Sequence, residues 1–132
     1  MATLESAKSK YVSDAVHTMS PGRMIVALYD RIILDLGRAT AGIAENDAHA
    51  THTALIHAQE IILELYSALD VSQWSGGAAL ASLYRYLMDE LVAANVEKSA
   101  ARVRACRELV APLRDAWRVA SGVVDSEGPA SS

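Results

Sequence analysis

The stretch TMSPGRMIVALYDRIILDLG, Thr18 to Gly37, decides how the chain folds. Ser20 before Pro21 reads as a helix start. A serine there accepts a hydrogen bond from an orphan amide of the first turn, and a proline at the first helical position has its φ preset and no amide to satisfy. Behind it Ile25, Tyr29, Ile32, Leu36, Ala39 and Ile43 recur at spacings of three and four, the period of one helical face. The stretch also carries more apolar surface than one face needs. Val26 and Ile33 flank the stripe, and Leu34 falls nearly opposite it, among Arg23, Asp30 and Arg38.

Three more helical patterns follow. Glu45 to Ala48 ends the first, and Asp47 is placed to cap the second. That helix is expected over 48–69, with Leu55, Ala58, Ile62, Leu65, Tyr66 and Leu69 inward. DVSQWSGG, Asp70 to Gly77, reads as a loop, and a third helix over 78–94 turns Leu80, Leu83, Tyr84, Leu87 and Leu91 inward. Ser99 caps a fourth over 99–121, whose stripe is Val103, Cys106, Leu109, Val110, Leu113, Ala116 and Trp117. Pro112 removes one amide and crowds the Glu108 carbonyl, which predicts a kink rather than a break. Short connections between long helices predict antiparallel neighbours: an all-α, antiparallel four-helix bundle over 20–121, its first helix at about 20–44. Residues 1–19 show no sustained period, only Leu4, Tyr11, Val12 and Val16 as isolated anchors, and read as a mobile N-terminal arm. Residues 122–132 read as a disordered tail.

Composition agrees. Of 132 residues 52% are hydrophobic and 21% charged, enough for a core and against global disorder. The net charge of −4 argues against a nucleic-acid binder, which carries a basic footprint. One cysteine, Cys106, cannot form an internal disulfide. The N-terminal residues lack an apolar signal segment, and no apolar run approaches a membrane span, so the expected address is the cytoplasm, without membrane insertion.

The apolar arc is too wide on three helices. Taking ~100° per residue, the second helix has Ile56 and Leu63 well to one side of its stripe and Ile61 to the other. The third adds Met88 and Val92. Val26, Ile33, Ile61 and Leu65 suit core packing against a second neighbour. Ile56, Leu63, Met88, Val92 and Leu34 divide evenly between core and an exposed patch large enough to need a partner, and an apolar groove between helices suits an amphipathic helix.

Catalytic chemistry is not legible. Bundle metal enzymes need Glu-x-x-His pairs from two helices, and there are none. His57, Glu60 and Glu64 project together from the most polar side of the second helix, which reads as a solvated face rather than a metal site. Cys106 lies in an apolar stripe and reads as an inert buried thiol. The SGG of the loop lacks the Lys-Ser/Thr of a phosphate loop. Arg102, Arg104, Arg107, Arg114 and Arg118 make the fourth helix locally basic, the pattern of a solvated face with ion pairs. The chain does not read as an enzyme.

In order along the chain come Tyr11, Val16, TMSP at Thr18 to Pro21, LYD at Leu28-Tyr29-Asp30, AQEIILEL at Ala58 to Leu65, Leu69-Asp70, LYRYLM at Leu83 to Met88, Leu91, Ala94-Asn95, and LRDAW at Leu113 to Trp117. This series resembles the FliS family of flagellin export chaperones over most of the chain. Gly22 and Arg23 depart from it, standing where Glu or Gln is common, so no capping box forms. The resemblance implies a cytosolic helical bundle serving type III protein export. It implies binding of the flagellin C-terminal region, prevention of premature polymerisation and delivery to a component of the flagellar export gate, with no cofactor. It marks Tyr11, Ser20, Pro21, Leu28, Tyr29 and Asp30 as family-motif positions. The partner surface is then expected at Leu34, Ile56, Leu63, Met88 and Val92, with Tyr11 and Val16 as anchors of the arm. The alternative reading is a self-associating helical scaffold, in which the surplus surface closes a homodimer; the expected state is a monomer or a weak homodimer.

Overall fold

The computed structural model describes residues 21–70, 72 and 76–122. The expected N-terminal arm with Tyr11 and Val16, the cap Ser20 and the tail beyond Gly122 lie outside the described residues. Within them are four α-helices: α1 (Pro21–Ala44), α2 (Ala48–Ala68), α3 (Gly77–Glu97) and α4 (Ala100–Ser121). Their main contacts run α1–α2, α2–α3, α3–α4 and α4–α1, an antiparallel four-helix bundle in which each helix touches two neighbours.

Two tight turns close one end. Between α1 and α2, Asn46 takes a left-handed φ of 57°, and the Asp47 carboxylate accepts the Ala50 amide at 3.0 Å. Gly42 is required just before this turn: a Cβ there would sit 2.5 Å from Thr51 Oγ1 and 3.0 Å from the Thr51 amide. The buried Thr51 hydroxyl donates to the Asp47 carbonyl at 2.9 Å, so the helices meet without a stranded polar atom. Between α3 and α4, Lys98 takes φ 52°, and Ser99 Oγ accepts the Arg102 amide at 3.2 Å. Helix α4 continues through Pro112.

The core follows the inward stripes. Tyr29, Ile32 and Leu36 from α1, Leu55 and Ile62 from α2, Leu87 and Leu91 from α3, and Val103 and Val110 from α4 are all fully buried. Each large aliphatic side chain so placed contributes about 1.5–3 kcal/mol. Val26, Ile61 and Leu65 are buried too, while Ile33 packs on the core's edge. Leu109, expected inward, is 37% exposed: it lies on the α3-facing flank of α4, away from the centre of the arc that Val103, Cys106 and Val110 occupy. Burial, and secondarily the charge of Glu90, pushes the Cys106 thiol up to about 11, which keeps it protonated and unreactive at neutral pH.

A polar pair crosses the core. The hydroxyls of Tyr29 in α1 and Tyr84 in α3 lie 2.6 Å apart, each satisfying the other. Burial pushes both above the usual phenol range, and hydrogen bonding from Tyr84 and Trp117 only partly offsets this at Tyr29. In the unfolded chain both ionise near pH ~10. Their contribution is therefore fully present below that pH and is lost as pH rises, because only the unfolded state gives up the protons. The urea midpoint is expected to fall more steeply from pH 9 to 11 in the parent than in a Tyr29→Phe, Tyr84→Phe double variant. Parallel curves would show that the pair carries no such linkage.

Candidate partner-binding surface

Two hydrogen bonds fix how α2 lies along α3. At one end Arg85 Nη1 donates to Tyr66 Oη at 3.2 Å; at the other the Asn95 side-chain amide meets His52 Nδ1 at 2.8 Å. In an antiparallel pair this register puts Ile56 opposite Val92 and Leu63 opposite the turn that carries Met88. Four expected partner residues thus gather on the outer edge of one seam. Leu63 and Val92 are 50% and 49% exposed, while Ile56 and Met88 sit lower, Met88 against the core. The result is an apolar stripe bounded by a polar bridge at each end. Leu34 does not join it. It is 45% exposed, but on the outward side of α1, the helix diagonal to α3 in the ring.

A second apolar surface flanks α3 on its other side. Near the α3–α4 connection the two helices are clamped: Arg102 donates through Nη1 to Glu90 and through Nε to Glu97, both at 2.9 Å. Towards the opposite end they part into a groove of about 640 Å³. Gly76, Ala79, Leu80 and Leu83 line one wall, and Leu113, Ala116, Trp117 and Ala120 the other. The cause is side-chain size, since alanines on the facing edges cannot fill the space between the two backbones. A smaller hollow of about 240 Å³ adjoins it, walled by Gly22, Trp117, Ala120 and Ser121. The groove therefore opens at the end of the bundle where α1 begins, α2 connects to α3, and α4 stops. Leu83, Leu113 and Trp117, expected inward, do pack against the core, and they also line this groove, which the hydrophobic pattern does not reveal. Its only signal was alanine and glycine at flanking positions of both helices.

The family-motif positions have structural roles. Pro21 is the first helical residue. Tyr29 is half of the core pair, Leu28 packs on the core, and Asp30 Oδ1 accepts from Arg114 Nη1 at 2.9 Å across the α1–α4 seam. The polar strip of His57, Glu60 and Glu64 remains open to solvent, but His57 also has a partner on α1. His57 Nδ1 lies 2.5 Å from Oδ2 of Asp35, whose side chain is only 2% exposed, with Arg31 3.5 Å away on the other oxygen. His57 thus ties α2 to a buried carboxylate of α1, a polar group that needs a hydrogen-bond partner there. Among the described residues no three His, Cys, Asp or Glu side chains are grouped to hold a metal, and no helix is long and apolar enough to cross a membrane. What the surface offers is apolar contact on both flanks of α3, bounded by polar groups.

The family model described as flagellar protein FliS matches residues 4–123. The flagellar secretion chaperone FliS of Bacillus subtilis (strain 168) is 27% identical over 117 residues, covering 89% of this chain and 87% of the relative.

Proposed function

The chain belongs to the FliS family of flagellar proteins, and from that premise we propose that it is a cytosolic flagellar export chaperone for the C-terminal region of flagellin. The observation that carries the proposal is the apolar surface left over on both flanks of α3: the stripe at the α2–α3 seam and the groove between α3 and α4. A bundle that only had to fold would bury or polarise these positions. Ile56, Leu63, Met88 and Val92 supply the stripe. Leu34 extends contact to α1, and Tyr11 and Val16 anchor the arm. The relative from Bacillus subtilis carries the name of a secretion chaperone, which supports the class of activity.

The mechanism is coupled folding and binding. An unfolded flagellin tail forms helix as its apolar side chains leave water on the chaperone, so binding offsets the ordering cost and needs neither nucleotide nor cofactor. While held, that tail cannot polymerise, and the complex is the form delivered to the export gate. Calorimetry with a cognate flagellin C-terminal peptide is expected to give micromolar or tighter binding with a large negative heat-capacity change. Absence of heat and of complex at micromolar concentrations would overturn the assignment.

A further inference from the structure

Among the described residues lining the α3–α4 groove, Trp117 is the one aromatic, and it walls the adjoining hollow as well. Alanines line much of the space before it, so the indole has room to turn in. Dispersion favours that collapse, because a side chain facing a void lacks contacts on one side. The α1–α4 seam supplies the restraint. Asp30 meets Arg114 at 2.9 Å, and Gly22 abuts Ser121 nearer the end of the bundle. This antiparallel register sets Trp117 level with the turn before Asp30. Side chains lean towards the N-terminus of their helix, so the indole reaches back to Tyr29. The two side chains hydrogen-bond, and the Tyr29 hydroxyl lies 2.6 Å from that of Tyr84. An indole N–H only donates, so the Tyr29 oxygen is its acceptor.

We propose that Tyr29 is a positioning residue for the partner surface: by accepting the Trp117 N–H it holds the indole against the wall and keeps the α3–α4 groove open. Turned into the groove, that N–H would meet only apolar side chains among the described residues, with no acceptor. A buried donor left unpaired costs more than a satisfied bond contributes, so the ring stays where Tyr29 holds it. Both tyrosines are buried, which anchors the bond in the core. The chain of contacts runs from α4 through α1 to α3. The width of the groove is therefore governed by Tyr29 on α1, a helix that contributes no described residue to its walls. That the open groove receives a flagellin segment rests on the function proposed above; the restraint on Trp117 does not.

The test uses no partner, so it stands apart from the flagellin assignment. In the full chain carrying Trp74→Phe, nuclear magnetic resonance shows one indole N–H signal, that of Trp117. Adding Tyr29→Phe is expected to speed exchange of this proton with deuterium roughly threefold to tenfold, the worth of one hydrogen bond. It is also expected to bring Overhauser contacts between the indole ring and the Ala79 methyl across the groove, which the parent lacks. Tyr84→Phe keeps the acceptor and should leave both readouts as they are. The Tyr29→Phe, Tyr84→Phe double variant strands no hydroxyl and should repeat the Tyr29→Phe result, which covers a single variant too unstable to measure. Leu91→Ala loosens the core elsewhere and should move neither readout. Identical exchange in the parent and the double variant would overturn the proposal. Faster exchange without the Ala79 contacts would overturn it too, since the bond would then not hold the groove open. The same changes in Leu91→Ala would reduce the effect to a general loss of packing and overturn it likewise.

Discussion

A chain carrying Leu63→Asp and Val92→Asp is expected to bind the flagellin C-terminal peptide more weakly by roughly two orders of magnitude or more, while unfolding close to the parent's midpoint. Both side chains are half exposed, so an aspartate at either position keeps its water in the free protein, and the cost to folding stays within about 1 kcal/mol per site. Under a docked helix the situation reverses. Each carboxylate is stripped of water against apolar side chains, and Arg85, the cation at that end of the seam, is already engaged by Tyr66 and Ser82. A stranded interfacial charge costs about 2–5 kcal/mol, and every ~1.4 kcal/mol is tenfold in affinity. Calorimetry and thermal unfolding on the same preparation separate the two effects. A folded double variant with parental affinity would remove the α2–α3 seam from the binding surface and leave the α3–α4 groove to carry it.

The neighbouring residue should behave in the opposite way. Leu91 is fully buried in the middle of α3, one position before Val92. Leu91→Ala leaves a cavity that the surrounding helices fill only in part, and an expected loss of about 2–5 kcal/mol follows. Urea unfolding measures it directly. The peptide affinity of the protein that remains folded should change little, because Leu91 presents no surface to a partner. A loss below about 1 kcal/mol would mean that the core repacks around the site. Two adjacent residues are thus expected to divide the labour of α3, one holding the bundle and the other meeting the partner.

That division was partly legible in the sequence. Spacing assigns Leu87 and Leu91 to the core stripe and puts Met88 and Val92 on its flank, because angle around one helix is a local property. It also gave Ile56 and Leu63. Angle alone does not say which flanks meet across space. Leu34 was grouped with the other four because it points outward, and only the ring order of the helices separates it from them. The α3–α4 groove was invisible for a different reason: it consists of what Ala79, Ala116 and Ala120 lack, and small residues leave no mark in a hydrophobic pattern. The polarity of the His57 strip hid Asp35 for the same kind of reason. A carboxylate on the inner edge of α1 becomes tolerable only when a partner arrives from another helix.

The near contact between Gly22 and Ser121 bears on how the bundle comes apart. A Cβ on Gly22 would lie 2.6 Å from that of Ser121, so the start of α1 and the end of α4 are as closely joined as any two consecutive helices. The four helices form a cycle rather than a row. A row has two outer members that can peel away singly, each surrendering one neighbour. In a cycle every member surrenders two, which discourages piecewise fraying and makes unfolding more nearly all-or-none. A cycle can still gape at its loosest joint while the other three hold. Here that joint is α3–α4, latched at one end by Arg102 and spaced by alanines at the other, so the bundle resembles a clasp bracelet whose fastening is also its groove.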